Sequence, residues 1–77
     1  MTIAELIEKL KEYPQDLRVV VRGYEGGVND VDRLEELDIL LNYYEGELYF
    51  GRHERVYAWT SDKDYEKVPA LEILGGE

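Results

Sequence analysis

Hydrophobic residues near the start of the chain recur with the spacing of one helix face. They are Ile3, Leu6, Ile7 and Leu10. This i, i+3, i+4, i+7 pattern predicts an amphipathic helix. Thr2 and Glu5 form a capping box at its start, in which each side chain accepts a hydrogen bond from the other residue's backbone N–H. Pro14 predicts that the helix ends near Tyr13, because the residue before a proline disfavours helical backbone angles.

A run of β-branched residues follows and predicts a first strand over residues 17–22. Leu17, Val19 and Val21 would share one face of the sheet, since side chains alternate along a strand. Three glycines then fall within residues 23–27. Such a density of glycine predicts a bulge or backbone at positive φ, and we expect the chain to reverse direction there.

Residues 28–44 fit two patterns. Helical spacing is found at Val31, Leu34, Leu37 and Leu41, and strand alternation at Leu37, Ile39, Leu41 and Tyr43. We favour a strand over residues 34–44, because residues 45–46 are typical of a hairpin turn and residues 48–50 are again of β type. The helical alternative, started by Asp30, stays open at this stage.

The rest of the chain predicts further strands. Residues 51–55 are typical of a loop or bulge, residues 56–60 continue the sheet, and residues 61–64 form a polar loop. Residues 71–74 close the sheet as a strand. Pro69 lies near the start of that strand, where a missing N–H is tolerated.

These elements predict the α+β class, with one N-terminal helix packed on a mostly antiparallel sheet of three to five strands in two layers. The 77 residues correspond to a single domain, residues 1–77. A domain of this size buries only about 60% of its unfolded surface. Because the chain has no Cys, neither a disulfide nor a thiolate metal site can reinforce that small core.

The order of these features resembles that of small uncharacterised proteins of bacterial and phage genomes. The resemblance is carried by the capped helix, the Pro14-Gln15-Asp16 stop, the Gly23-Tyr24-Glu25-Gly26-Gly27 loop and the segment Gly51-Arg52-His53-Glu54. It covers nearly the whole chain. No activity is established for such proteins, so the resemblance assigns no functional residue.

Negative charge is concentrated in the middle of the chain. The net charge is −9, and residues 23–52 carry eight acids against two arginines, whereas residues 1–22 are balanced. Such a surface repels phosphate, which excludes direct binding to nucleic acid, and attracts basic partners. No apolar run approaches the length that spans a membrane, and the first residues lack the pattern of a signal peptide. We therefore expect a cytoplasmic protein.

Candidate catalytic and ligand-binding groups are few. The glycine loop leads into acids rather than a helix with a lysine, so it predicts a turn and not a phosphate cradle. The spacing of Asp30, Asp32, Glu35 and Glu36 does not match a calcium-binding loop. His53 is the single histidine and is expected to be a loop residue hydrogen-bonded to backbone. We predict neither an enzyme nor a bound cofactor or metal.

The leading hypothesis is a non-catalytic, acidic protein-binding module that docks on a basic surface of another protein. Its sharper form is a phage-type inhibitor, of the anti-defence or anti-CRISPR kind, that mimics DNA in the binding channel of a nucleic-acid-binding enzyme. The predicted partner-binding residues combine charge with aromatic contact area. They are Tyr24, Glu25, Asp30, Asp32, Glu35, Glu36, Asp38, Tyr43 and Tyr44.

Two alternatives belong to other classes. The first is a structural homo-oligomer, such as a homodimer formed through a sheet edge or an apolar face, whose charge serves only solubility. The second is an accessory protein that binds a small ligand or a divalent metal ion through the loop of residues 23–32. From the sequence alone, residues 28–37 fit a helix, a loop or a strand.

Overall fold

The structure, a computed structural model, describes residues 1–60 and 63–76. Helix α1 covers Ile3–Leu10 and is opened by the predicted capping box. The Glu5 N–H donates to Thr2 Oγ1 at 3.1 Å, and the Thr2 N–H donates to Glu5 Oε1 at 2.9 Å. The hydrogen bond from the Thr2 backbone lowers the pKa of the Glu5 carboxyl. After Leu10 the backbone tightens into i to i+3 hydrogen bonds as far as Tyr13, so the regular helix ends slightly earlier than predicted.

The sheet consists of β1 (Val20–Arg22), β2 (Val28–Leu40), β3 (Glu54–Arg55) and β4 (Lys67–Gly75). All three other strands pair antiparallel with β2. The predicted α+β class, one N-terminal helix with an antiparallel sheet, is confirmed. β2 is therefore the strand on which the described part of the sheet is assembled.

The glycine loop is the connection between β1 and β2, and it reverses the chain as predicted. The Gly23 N–H donates to the Gly27 carbonyl at 3.0 Å. A Cβ on Gly23 would lie 2.4 Å from the Gly26 carbonyl oxygen, and Gly27 has a φ of +64°. Both positions therefore require glycine, the first for space and the second for backbone conformation.

The central strand begins and ends earlier than predicted. Residues 28–37, which fitted both patterns, are part of β2, and the predicted strand of residues 34–44 stops at Leu40. Residues 41–46 form turns in which Asn42 and Gly46 have positive φ. A β-bulge between Val31 and Arg33 shifts the alternation, which explains why helical and strand spacing overlapped in the sequence.

The predicted strands of residues 48–50 and 56–60 are wrong. Residues 48–50 form a bend, and the only described strand between β2 and β4 is the two-residue β3. Val56 adds one backbone hydrogen bond to Asp38, and then the Thr60 hydroxyl accepts from the Tyr57 N–H and turns the chain. Of the predicted polar loop, residues 61 and 62 lie outside the described residues.

β4 confirms the closing strand and extends it on both sides. Its residues pair with β2 from Lys67 opposite Leu40 to Gly75 opposite Val31. Pro69 lies opposite Asp38 within β4, which pairs only with β2 among the described strands. An outer strand accepts proline because one row of its N–H groups has no ladder partner.

Little of the molecule is buried. Leu40 is the one fully buried hydrophobic residue in the described chain, and the total accessible surface is 7063 Å². A compact monomer of 9.0 kDa would expose about 4,900 Å². The radius of gyration is 14.7 Å, against about 11.5 Å for a compact domain of this length. The fold therefore carries about 2,200 Å² more surface than its mass requires.

The helix contributes to this excess. Ile3, Ile7 and Leu10, three of the four residues of its apolar face, are 58%, 48% and 47% exposed. An open groove of about 1090 Å³ lies between the start of the helix and the sheet, lined by Met1, Ile3 and Leu6 on one side and by residues of β2 and β4 on the other. No Cα of α1 lies within 8 Å of a Cα in a described strand, so the helix faces the sheet across this groove and does not pack closely on it as predicted. Much of its apolar face is therefore left in solvent.

Candidate partner-binding surface

The β1–β2 loop places two of the predicted partner-binding residues at an exposed tip. Tyr24 is 91% exposed, and Glu25 follows it with a φ of +40°. Close to the base of the same hairpin, Asp30 accepts two hydrogen bonds from Arg18, from Nε and Nη2, each of 2.7 Å. Asp30 is therefore already balanced by a bidentate arginine, whereas Glu25 at the tip has no ion pair within the described chain.

The bulge in β2 gathers two more predicted acids around one arginine. Arg33 donates from Nη1 to Asp32 at 2.9 Å and from Nε to Glu35 at 2.8 Å. The hydrogen bond to Glu35, followed by that to Asp32, raises the pKa of the guanidinium. Half of the six predicted acids, Asp30, Asp32 and Glu35, are thus paired within the protein, which leaves a weaker phosphate-like surface than the sequence predicted.

Glu36 and Asp38 lie on the opposite face of β2 from Glu35. They pair across the sheet with Leu71 and Pro69 of β4, and all four residues line the groove beside the helix. Neither carboxylate forms an ion pair among the described residues. These two acids therefore lie beside the apolar lining of the groove without a basic partner among the described residues.

A second network of charges fixes β3 to the sheet. Arg55 donates to both carboxylate oxygens of Glu72, which lies on β4 on the other side of β2. This pairing raises the pKa of Arg55 and lowers the pKa of the Glu72 carboxyl. Arg55 faces Ile39 and Glu72 faces Glu35, so the ion pair crosses the face of β2 that also carries Arg33. Its role is structural, because it ties three strands together.

The two predicted tyrosines, Tyr43 and Tyr44, are half-buried and make contacts within the protein. Their rings meet edge to face at 4.9 Å, Tyr43 also packs on Tyr65 at 4.7 Å, and Tyr44 stacks on Phe50 at 4.6 Å. The Tyr44 hydroxyl donates to Glu54 Oε2, and this hydrogen bond, with some desolvation, raises the pKa of Tyr44 to about 12. Both side chains therefore act mainly as support for neighbouring rings.

The exposed rings lie farther along the same segment, at residues that the sequence argument did not select. Tyr49 is 95% exposed and Trp59 is 79% exposed, and Phe50 and Tyr57 are also accessible. Tyr57 and Trp59 stack in parallel, with centroids 4.9 Å apart and planes inclined by 5°. The sequence predicted strands for residues 48–50 and 56–60, in which alternation would place some of these rings on the exposed face of the sheet. Their density in residues 43–65 was the available signal.

The remaining candidate groups have local structural roles. His53 lies in a loop, and its Nδ1 accepts from the Asn42 N–H at 2.9 Å, as predicted. The Thr2 and Thr60 hydroxyls cap the helix and the turn after Tyr57. Across residues 1–60 and 63–76, no three or more His, Asp or Glu side chains are grouped so that they could hold a metal ion.

Similarity to other proteins adds no further assignment. No family model, curated protein or solved structure matches the chain. In the described part of the chain, no helix has both the length and the hydropathy needed to cross a membrane. Function is therefore inferred from the chain's own surface.

Proposed function

We propose that this chain is a non-catalytic binding protein whose acidic and aromatic surface docks on a basic surface of another protein. The observation that carries the proposal is the exposed area, 7063 Å², against about 4,900 Å² for a compact monomer. A standard protein interface buries about 1,200–2,000 Å² in total. The excess is thus large enough to supply this chain's share of an interface.

The charge distribution indicates the kind of partner. The net charge of −9 is concentrated in residues 23–52, and Glu25, Glu36 and Asp38 lack ion pairs within the described chain. Complementary charge accelerates association and makes it sensitive to salt. A basic protein surface is therefore the favoured partner, and nucleic acid itself is disfavoured because its phosphates would meet the same carboxylates.

The sharper form of the proposal is an inhibitor that occupies the nucleic-acid-binding channel of an enzyme, as phage anti-defence and anti-CRISPR proteins do. Its support is the charge of the surface and the resemblance to small bacterial and phage proteins. It requires carboxylates to stand where phosphates would bind. The unpaired acids on β2, Glu36 and Asp38, are the strongest candidates for that role.

The test is capture of partners by the immobilised chain, followed by elution with salt and separately with DNA. We expect a nucleic-acid-binding protein that is released by both. The double variant Glu36→Gln/Asp38→Asn should weaken capture. Glu12→Gln/Asp16→Asn removes the same charge from the balanced N-terminal region and is the matched control. Equal loss in both variants, or a partner that DNA does not displace, would contradict DNA mimicry.

A second candidate function, a structural homodimer, is favoured by one observation, the half-exposed apolar face of α1. A second copy could cover Ile3, Ile7 and Leu10 together with the groove. This alternative predicts that the urea midpoint rises with protein concentration, since dimerisation stabilises the folded state by mass action. Ile7→Lys should abolish that dependence, and a midpoint independent of concentration would exclude the dimer.

A further inference from the structure

The segment between β2 and β4 concentrates the aromatic residues of the chain. Seven of the nine, all except Tyr13 and Tyr24, lie within residues 43–65. Tyr43, Tyr44 and Tyr65 form an inner group, in which Tyr43 contacts both of the other rings. The outer rings, which we call the aromatic surface, are Tyr49, Phe50, Tyr57 and Trp59.

The aromatic surface is supported from below by defined contacts. Phe50 stacks on Tyr44, whose hydroxyl is held by Glu54. Tyr57 lies close enough to Tyr44 to contribute to the raised pKa of that residue. The Thr60 hydroxyl closes the turn that carries Tyr57 and Trp59, with a hydrogen bond of 2.8 Å from the Tyr57 N–H. Three of the four outer rings, Phe50, Tyr57 and Trp59, are thus placed by contacts within the fold.

Their exposure is unusual for residues that serve only as core. Trp59 is 79% exposed although its ring is stacked on Tyr57. Tryptophan, tyrosine and arginine are the residues most enriched at interface hot spots, and stacked rings present flat faces of negative potential. Cations bind such faces, and arginine does so more often than lysine because its planar guanidinium can also stack.

The chain's own charges favour a cationic ligand at this surface. Three of its five arginines, Arg18, Arg33 and Arg55, are held on carboxylates of the chain itself. The exposed acids Glu45 and Glu47 lie in the same segment as Tyr49 and Phe50. Nucleic-acid bases also stack on aromatic rings, but they require a positively charged groove. An acidic segment fits arginine better than it fits a polynucleotide.

We propose that the aromatic surface binds arginine side chains of the basic partner by stacking and cation–π contact. This inference rests on the proposed function and deepens it, because it assigns partner recognition to residues 49–59 in addition to the acids of β2. An exposed cation–π contact changes affinity about two- to fivefold. Oligo-arginine should therefore bind about two- to fivefold more tightly than oligo-lysine of the same length and charge.

Trp59 is the single tryptophan, so its fluorescence reports directly on this surface. The experiment titrates the full chain with oligo-arginine, oligo-lysine and oligo-glutamate at low salt. We expect oligo-arginine to change Trp59 emission at lower concentration than oligo-lysine, and oligo-glutamate to have no effect. Tyr57→Ala should weaken oligo-arginine binding about two- to fivefold. Tyr13→Ala, which removes a 60% exposed tyrosine at the end of the helix, should not.

The possible outcomes distinguish arginine stacking from the proposed function, docking on a basic protein through charge. Equal affinity for the two basic peptides, with unchanged Trp59 emission, would overturn arginine stacking and leave docking through charge intact. Binding of neither peptide would overturn both. An emission change with a single-stranded oligonucleotide but with neither basic peptide would assign the surface to nucleic acid and would also overturn the inference. Circular dichroism of each variant confirms that the fold is retained.

Discussion

The β2–β4 ladder and the segment that joins its strands are built in different ways. The ladder is held by backbone pairing over nine register positions, and the Arg55–Glu72 ion pair fastens β3 to it. The described part of the connecting segment, residues 41–60 and 63–66, contains only one strand, the two-residue β3, and is held by ring contacts and side-chain hydrogen bonds. The first region provides a frame, and the second provides exposed aromatic area. This difference indicates that stability and recognition are carried by different parts of the chain.

The largest expected effect on the frame comes from its one fully buried side chain. Leu40→Ala leaves a cavity at the end of β2, and such changes cost about 2–5 kcal/mol of unfolding free energy. In a domain of this size that loss approaches the whole stability. Urea unfolding is the measurement. Leu34→Ala, at a residue of the same strand that is 58% exposed, is the control and should cost far less. Similar losses in both variants would show that Leu40 is not the core.

A smaller effect is expected where β1 joins β2. Gly23→Ala places a Cβ 2.4 Å from a backbone carbonyl, and we expect a loss of about 1–3 kcal/mol in unfolding free energy. Gly26→Ala meets no atom within 4 Å and has no positive φ, so it should be neutral. Urea unfolding of the two variants compares them directly. A neutral Gly23→Ala would mean that the hairpin turns differently from the structure.

The ion pair between the frame and β3 should have a pH-dependent effect. The hydrogen bond from Arg55 lowers the pKa of the Glu72 carboxyl in the folded state. The ion pair therefore stabilises the fold at pH values above the pKa of Glu72 in the unfolded chain, and this stabilisation is lost as the pH falls through the lower pKa of Glu72 in the folded protein. Glu72→Gln should cost about 0.5–1 kcal/mol near neutral pH, because Arg55 is partly exposed and its charge is screened.

Glu72→Gln should have little effect on the unfolding free energy in strong acid, because Glu72 is then protonated in the parent protein and no longer pairs as a carboxylate with Arg55. Urea unfolding at neutral and strongly acidic pH measures both values. Glu8→Gln, in the exposed pair with Lys11, is the matched control and should change little at either pH. A Glu72→Gln cost that does not shrink in acid would argue against the ion pair as its cause.

The smallest change concerns the support of the aromatic segment. Tyr44 donates to Glu54 and its pKa is raised to about 12, so the hydrogen bond stabilises the fold below the ordinary tyrosine pKa and is lost as the pH rises through about 12. Absorbance titration should show a tyrosine that ionises at this high pH. Tyr44→Phe should remove it and Tyr24→Phe should not. Identical titration curves for Tyr44→Phe and the parent protein would contradict the contact.

Sequence patterns predicted the features that depend on local chemistry. The Thr2–Glu5 cap and the glycine turn follow from neighbouring residues alone, and both are present. β4 was also predicted, since its alternation is regular. The start of β2 could not be predicted, because the bulge near Asp32 changes the phase of the alternation there. The position of the bulge is set by the register between β2 and β4, which the sequence pattern of β2 does not specify.

Sequence patterns predicted only part of the candidate partner-binding surface. Glu25 and Tyr24 were selected and lie at an exposed tip. Asp30 and Glu35 were selected for their charge, but arginines distant or adjacent in sequence pair with them once the chain folds. Tyr49 and Trp59 were not selected. Residues 48–50 and 56–60 have strand-like composition, yet the first form a bend and the second include a turn. Ring stacking and the Thr60 hydrogen bond, which composition does not show, decide that outcome.

The central claim is that the exposed surface is kept open for a different, basic protein. The most direct test is the mass of the purified chain by light scattering, at low and at high salt. A surface open to another protein predicts a monomer of 9.0 kDa under both conditions. A dimer of twice that mass, stable at high salt, would show that a second copy covers the surface and would contradict the claim.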